Sequence, residues 1–263
     1  GIKKLISTSY AADSKYVDAS YQPSLLEMND PRFDEEKTRS RGKKFVLENK
    51  DINGDGRVNF EDIEWEYLEG DGDFRSDEVT ALRDEADMVI TNPPFSLFRD
   101  FIAWVVAGDV KFSMIGNMNA ITYKEVFPLI KDDAIWLGGG KNDGRNVWYQ
   151  VPDTYETFHK IESGKKFAFV AGTIWFTNID HGRRHEFLQL RTKERNIKYG
   201  SMKIKGIGYR KYDNYDAIEV PEVKSIPSDY IGVMGVPISF LSKHNPDQFE
   251  ILGFQRWAKS KAL

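Results

Sequence analysis

Two consecutive prolines, Pro93 and Pro94, constrain this chain more than any other feature. Each lacks a backbone N–H and fixes its own φ, and each pushes the residue before it out of the helical region. The run leading in, Ala86-Asp87-Met88-Val89-Ile90-Thr91, is short, apolar and rich in β-branching, the pattern of a buried strand. That strand must stop at Asn92. A helical period starts directly afterwards, with Leu97, Phe98, Phe101, Ile102, Val105 and Val106 on one face. The sequence therefore predicts an α/β unit that presents an amide, two proline carbonyls and the Phe95 ring at the C-terminal edge of a sheet. In open α/β sheets that edge is where ligands bind.

Those groups suit one kind of substrate. An exocyclic amine on a heteroaromatic base is a poor nucleophile because its lone pair is delocalised into the ring. The Asn92 side-chain oxygen and the Pro93 carbonyl can each accept one N–H of such an amine, drawing its nitrogen toward a tetrahedral, nucleophilic form. Phe95 can stack on a base flipped out of its duplex. The plainer alternative is a junction at which the prolines only end a strand. The full context of apolar strand, Asn-Pro-Pro-Phe and amphipathic helix favours the amine site.

The order of elements repeats. Lys111-Phe112-Ser113-Met114-Ile115 is a second buried strand, ending at Gly116-Asn117-Met118-Asn119, with a short helix over Tyr123 to Ile130. Strand, polar edge loop and helix in succession argue for a wound α/β sheet. Asn117 and Asn119 would share the edge with Asn92, as substrate contacts or as turn residues. Upstream, Glu69-Gly70-Asp71-Gly72-Asp73-Phe74-Arg75-Ser76 precedes a helix over Asp77 to Glu85, with Ser76 as its cap. Asp71 and Asp73 beside Phe74 can hold the polar edge and ring of a nucleoside, or can be ordinary turn chemistry.

Asp51-Ile52-Asn53-Gly54-Asp55-Gly56-Arg57-Val58-Asn59-Phe60-Glu61-Asp62 fits the calcium-loop pattern of alternate oxygen ligands with glycine sixth. Asp51, Asn53 and Asp55 would supply side chains, Arg57 its carbonyl, and Asp62 the closing carboxylate in place of the usual glutamate. The alternative is an Asx- and Gly-rich turn with no ion. A helix is expected to follow through Ile63, Trp65, Tyr67 and Leu68, and the charged segment from Asp30 to Lys44 reads as a solvated connector.

The 263 residues, 40% hydrophobic, suffice for a sizeable core, and the absence of a long apolar run excludes a membrane-spanning helix. No cysteine is present, which rules out disulfides and thiolate chemistry and fits a cytoplasmic protein. A net charge of −4 means that any contact with nucleic acid must use local patches. The basic stretch from His181-Gly182-Arg183-Arg184-His185 through the lysines and arginines as far as Lys211 is either such a phosphate-contact surface or an ordinary solvated face. Asn146 to Val151, Phe167 to Val170 and Thr173 to Asn178 read as short antiparallel strands.

Taken in order, Gly70 to Ser76, Thr91 to Phe98, Ile115 to Lys124 and Gly232-Val233-Met234-Gly235-Val236-Pro237 resemble the EcoRI-type adenine-specific DNA methyltransferase family. The likeness runs from about Asp71 to Gly253, with Lys3 to Tyr10 as an earlier fragment. It implies S-adenosylmethionine as methyl donor, N6 of a flipped adenine in double-stranded DNA as acceptor, and Asn92, Pro93, Pro94 and Phe95 as the catalytic motif. Asp71, Asp73 and Phe74 are then expected to hold the cofactor. It further implies a Rossmann-like methyltransferase sheet over residues 1–140, carrying a calcium-loop-like insertion near 30–68. Residues 141–263 would form a β-rich, partly basic region that completes the core and contacts DNA. Family members place a further strand and cofactor motif ahead of the strand at Lys3 to Ser7, and none precedes Gly1. A missing N-terminal segment or a partner chain is the expectation that follows. A relative that binds DNA or protein without catalysis is the competing reading.

Overall fold

In a computed structural model, residues 2–15, 28, 30–138, 147–170 and 172–254 are described. The chain divides into two compact units, one of residues 1–89 and 100–110, the other of residues 90–99 and 111–263. The boundary expected near residue 140 falls inside the second unit.

The first unit is built on a three-stranded antiparallel sheet. Strand β1 (Lys4–Ser9) pairs with β2 (Lys43–Glu48), which pairs with β3 (Glu64–Tyr67). The expected helix through Trp65 and Tyr67 is thus a strand. Glu64-Trp65-Glu66-Tyr67 alternates polar and aromatic, and only the two aromatics turn inward. The segment expected to be a loose connector is ordered as well, because its charges have fixed partners. Asp34 caps helix α1 (Glu35–Ser40), and the Tyr67 hydroxyl lies 2.7 Å from Thr38 Oγ1. The Trp65 indole N–H donates to Asp30, and the Arg32 guanidinium sits 4.7 Å over the Trp65 ring. Helix α2 (Asp77–Glu85) starts at its Ser76 cap, as expected. A second core lies where Phe74 packs on Phe101 and Trp104 at centroid distances of 4.8 and 5.4 Å.

Strand β4 (Met88–Thr91) and helix α3 (Phe98–Ala107) each cross the division between the units. The apolar face expected of α3 is found: Phe98, Phe101, Ile102 and Val105 are buried. Strand β4 differs from expectation. It ends a four-stranded sheet in which it is followed by Lys111–Asn117, Thr173–Thr177 and Trp136–Leu137, and Met88 and Ile90 are 46% and 69% exposed. A four-residue apolar run cannot by itself separate an edge strand from a central one.

In the second unit, β5 (Lys111–Asn117) turns Phe112, Met114 and Gly116 into the core. Strand β10 (Thr173–Thr177) runs antiparallel to both β5 and β6 (Trp136–Leu137). Between β5 and β6, helix α4 (Phe127–Lys131) is shorter than the expected Tyr123–Ile130 span, and a 3-10 helix over Met118–Thr122 precedes it. Antiparallel pairing is found for the runs expected to show it, β10 included. Strands β7 (Val147–Val151), β8 (Lys160–Glu162) and β9 (Lys165–Val170) form a separate sheet, with Asn146 outside the described residues. Helix α5 (Lys193–Tyr199) follows. The short parallel pair β11 (Ala217–Glu219) and β12 (Val233–Gly235) comes next. Ile218, Val220, Ile226 and Phe240 form the core around that pair. The described residues form a mixed α/β structure with four sheets, and the strand at Lys4–Ser9 belongs to the antiparallel sheet of the first unit.

Candidate active site

Asn92 to Phe95 occupy the turn between the end of β4 and the start of α3, within the second unit. Asn92 is exposed, Pro93 is buried, and the Phe95 ring is 41% exposed. Pro94, at φ −53° and ψ 130°, accepts the Leu97 N–H at 2.9 Å and so starts the 3-10 turn Phe95–Leu97 that leads into α3. The turn uses the Pro94 carbonyl rather than the Pro93 carbonyl, the one that the chemistry of an amine site requires.

The turn is held from beneath by Phe98. Its ring is 2% exposed and lies 5.0 Å from the Phe176 ring of β10. It also lies against Gly116 of β5, where an added Cβ would overlap both Phe98 and Phe176. Gly116 therefore lets the first turn of α3 approach the sheet. Local sequence offered no sign of this, since a glycine near a strand end usually marks a turn.

The loop after β5 lies beside the same turn. Asn117 Oδ1 accepts the Asn119 N–H at 2.9 Å, and Thr122 Oγ1 donates to the Asn119 carbonyl at 2.8 Å. The Met118 N–H donates to the Gly172 carbonyl. Of the two readings open for Asn117, the turn role is the one its side chain fills. The two loops are joined by a contact that sequence reasoning missed, the Arg99 guanidinium 4.4 Å over the Tyr123 ring.

Asp71, Asp73 and Phe74 lie in the first unit. The Asp71 carbonyl accepts the Ala11 N–H at 2.8 Å, and Gly72, at φ +85°, fits against the Ser9 carbonyl where a Cβ would collide. Asp71 is exposed, and its Oδ1 accepts the Asp73 N–H at 3.1 Å. Asp73 is clamped by Arg75, which donates from Nε at 2.9 Å and from Nη2 at 2.6 Å and holds the carboxyl below its ordinary range. Phe74 is 5% exposed and packed into the aromatic core. Its ring packs behind the loop that carries Asp71 and Asp73. Glu78 accepts the Glu69 and Gly70 N–H groups, closing the loop onto α2.

The twelve residues from Asp51 to Asp62 lie at the other end of β3. Asp51 accepts the N–H groups of Gly54, Asp55 and Gly56, Asn53 that of Asp55, and Asp55 that of Arg57. Asp62 is 1% exposed and accepts from Ile52 at 2.8 Å, Asn53 at 3.3 Å and Asn59 at 2.9 Å, which lowers its pKa. Gly54 and Gly56 take φ values of +78° and +84°. These side chains accept the loop's own amide N–H groups. Among the described residues no group of three or more His, Asp or Glu side chains is arranged to hold a metal ion.

Of the basic stretch, Arg184 stacks 3.8 Å over Trp136 and pairs with Asp133. His185 sits between Asp180 and Asp247, at 2.9 and 3.1 Å, which raises its pKa. A cavity of about 1080 Å³ lies around β11 and β12, lined by residues such as Tyr212, Tyr230, Met234 and Phe249. None of Asn92 to Phe95 lines it. Among the described residues no helix is long and apolar enough to cross a membrane.

Comparison with known proteins yields a consistent set. Residues 1–262 match the model of a family described as the adenine-specific methyltransferase EcoRI. The chain is 41% identical over 268 residues to the Type II methyltransferase M.EcoRI of Escherichia coli, an alignment covering all of this chain and 73% of that relative. It is 36% identical to the Type II methyltransferase M.MgeORF184P of Mycoplasma genitalium and 34% identical to M.MpnI of Mycoplasma pneumoniae. Each of these two alignments covers 70% of this chain and 57% of the relative, so the chain spans little more than half their length. No solved structure matches it.

Proposed function

Because the chain belongs to the EcoRI-type adenine-specific methyltransferase family, we propose that it methylates N6 of an adenine turned out of double-stranded DNA. One observation carries the reading: the turn at Asn92 to Phe95 exposes an amide and an aromatic ring and commits the Pro94 carbonyl, not that of Pro93, to the helix. S-adenosylmethionine, when bound, supplies a methyl group on a positively charged sulfur. Asn92 Oδ1 and the Pro93 carbonyl each accept one N–H of the adenine amine. Two acceptors drawing on both protons localise the nitrogen lone pair, and the proton displaced on methylation leaves along one of these hydrogen bonds toward water. Phe95 stacks on the flipped base and replaces part of the stacking lost from the duplex.

On the donor side, Asp71 is the residue whose chemistry fits. Its carboxylate is exposed, with Oδ1 held by the Asp73 N–H, and it suits the hydroxyls of a nucleoside. Asp73, paired with Arg75, and Phe74, packed behind, fix the loop that carries Asp71.

The experiment is methylation of a random-sequence duplex pool, which contains every short target site, followed by nuclease digestion and chromatography of the nucleosides. N6-methyladenine that appears only with S-adenosylmethionine supports the proposal. Its absence, together with no heat on titrating S-adenosylmethionine into the chain, favours a relative that binds without catalysis.

A further inference from the structure

Resting on the reading above, we propose that Arg99, braced on Tyr123, receives a backbone phosphate beside the flipped adenine. Arg99 lies four residues beyond Phe95, one turn further from the base-stacking ring. It is exposed, and its guanidinium lies 4.4 Å over the Tyr123 ring. Among the described residues no ion pair engages Arg99, as is also true of Arg57, Arg191, Arg195 and Arg210; what sets Arg99 apart is its place beside the turn at Asn92 to Phe95 and its brace on Tyr123.

The geometry of the contact matters. A guanidinium stacked on an aromatic ring uses its face, and its N–H donors point outward in the plane of the group. Two parallel N–H groups in that plane match two oxygens of a phosphodiester. The brace itself is fixed, since the Tyr123 N–H donates to the Ala120 carbonyl and its own carbonyl accepts the Val126 and Phe127 N–H groups. Arg99 is thereby held over the loop after β5 while its backbone belongs to the first turn of α3.

Flipping a base costs a few kcal/mol of stacking and pairing and leaves the strand free to fall back. A phosphate contact beside the extruded nucleotide fixes its register without reading sequence. In a chain of net charge −4, a cation at this point supplies locally what the overall charge does not.

The test compares wild-type protein with Arg99→Gln, Tyr123→Leu and Tyr123→Phe on the random-sequence duplex pool. KM for DNA, kcat and duplex binding by fluorescence anisotropy are measured across a salt series. Arg99→Gln is expected to raise KM for DNA roughly tenfold, the size of one charge-assisted contact, with kcat preserved. The slope of log affinity against log salt should become shallower by about 0.9, the release of one phosphate's counterion. Tyr123→Leu should move both quantities the same way, while Tyr123→Phe, which keeps the ring face, should not. An unchanged salt slope in Arg99→Gln overturns the inference, as does a fall in kcat with KM unmoved. Should the wild-type protein bind the pool without methylating it, the methyl-transfer reading fails, and the binding slopes alone still decide the role of Arg99.

Discussion

The Phe98 ring rests on the α-carbon of Gly116, so closely that one added methyl group would overlap it. This contact seats the first turn of α3 on β5 and thereby sets where Asn92 to Phe95 stand. Gly116→Ala should destabilise the protein by about 1–3 kcal/mol, the usual cost of overpacking a core. Phe98→Leu in the same chain should recover part of that loss by making room. Thermal melts of the single and double variants measure it, and additive losses would show that the two residues do not share the constraint.

Asp71→Ala should weaken S-adenosylmethionine binding while leaving the melting temperature near that of the wild type, because the carboxylate is exposed and accepts a single amide at Oδ1. Asp73→Ala should do both, since Arg75 loses the partner that fixes the loop. Calorimetry with S-adenosylmethionine beside thermal melts separates the two. Equal effects on both quantities in both variants would contradict the division of roles.

Asp62 ties Ile52, Asn53 and Asn59 together from a buried position, so Asp62→Ala should lower the melting temperature by several degrees. Its folded pKa is below the unfolded value, so its contribution is present above about pH 4 and is lost as pH falls through the folded pKa. Melts from neutral pH to pH 3 should show that loss in the wild type and not in the variant. If the amides alone organise the loop, a chelator should leave the neutral-pH melting temperature unchanged.

His185 gives the opposite sign. Its folded pKa is raised by Asp247 and Asp180, so its contribution is complete below about pH 6.5 and is lost as pH rises through the folded pKa. His185→Gln should flatten the stability profile across that window. An NMR titration of the ring should show a midpoint above the ordinary histidine value, and a midpoint below it would contradict the clamp.

How much the sequence disclosed follows from how local each signal is. The Ser76 cap of α2 and the apolar face of α3 depend on residues within a few turns, and both were legible. The Asn-Pro-Pro-Phe turn was legible for the same reason, because the prolines impose it. Strand β3 was misread because Ile63, Trp65, Tyr67 and Leu68 fit a helical period, while the alternation of Glu64 to Tyr67 covers only four residues. The segment from Asp30 to Lys44 looked disordered because its partners, Trp65 and Tyr67, stand more than thirty positions away. Phe74 offered an aromatic ring beside two carboxylates, and nothing local foretold that Phe101 and Trp104 enclose it. Arg99 and Tyr123 were missed likewise, since their contact exists only once the two edge loops are side by side.

The central claim is that Asn92 activates an adenine amine by accepting one of its protons. The most direct measurement is single-turnover methylation of duplex DNA by wild-type protein and by Asn92→Ala, with DNA and S-adenosylmethionine binding measured in parallel. Loss of a preorganised hydrogen-bonding group at a reacting centre typically costs about 10²–10³-fold in rate. The N6-methyladenine formation rate is expected to fall by that order, with both binding steps retained. An Asn92→Ala protein that methylates at the wild-type rate would contradict the claim.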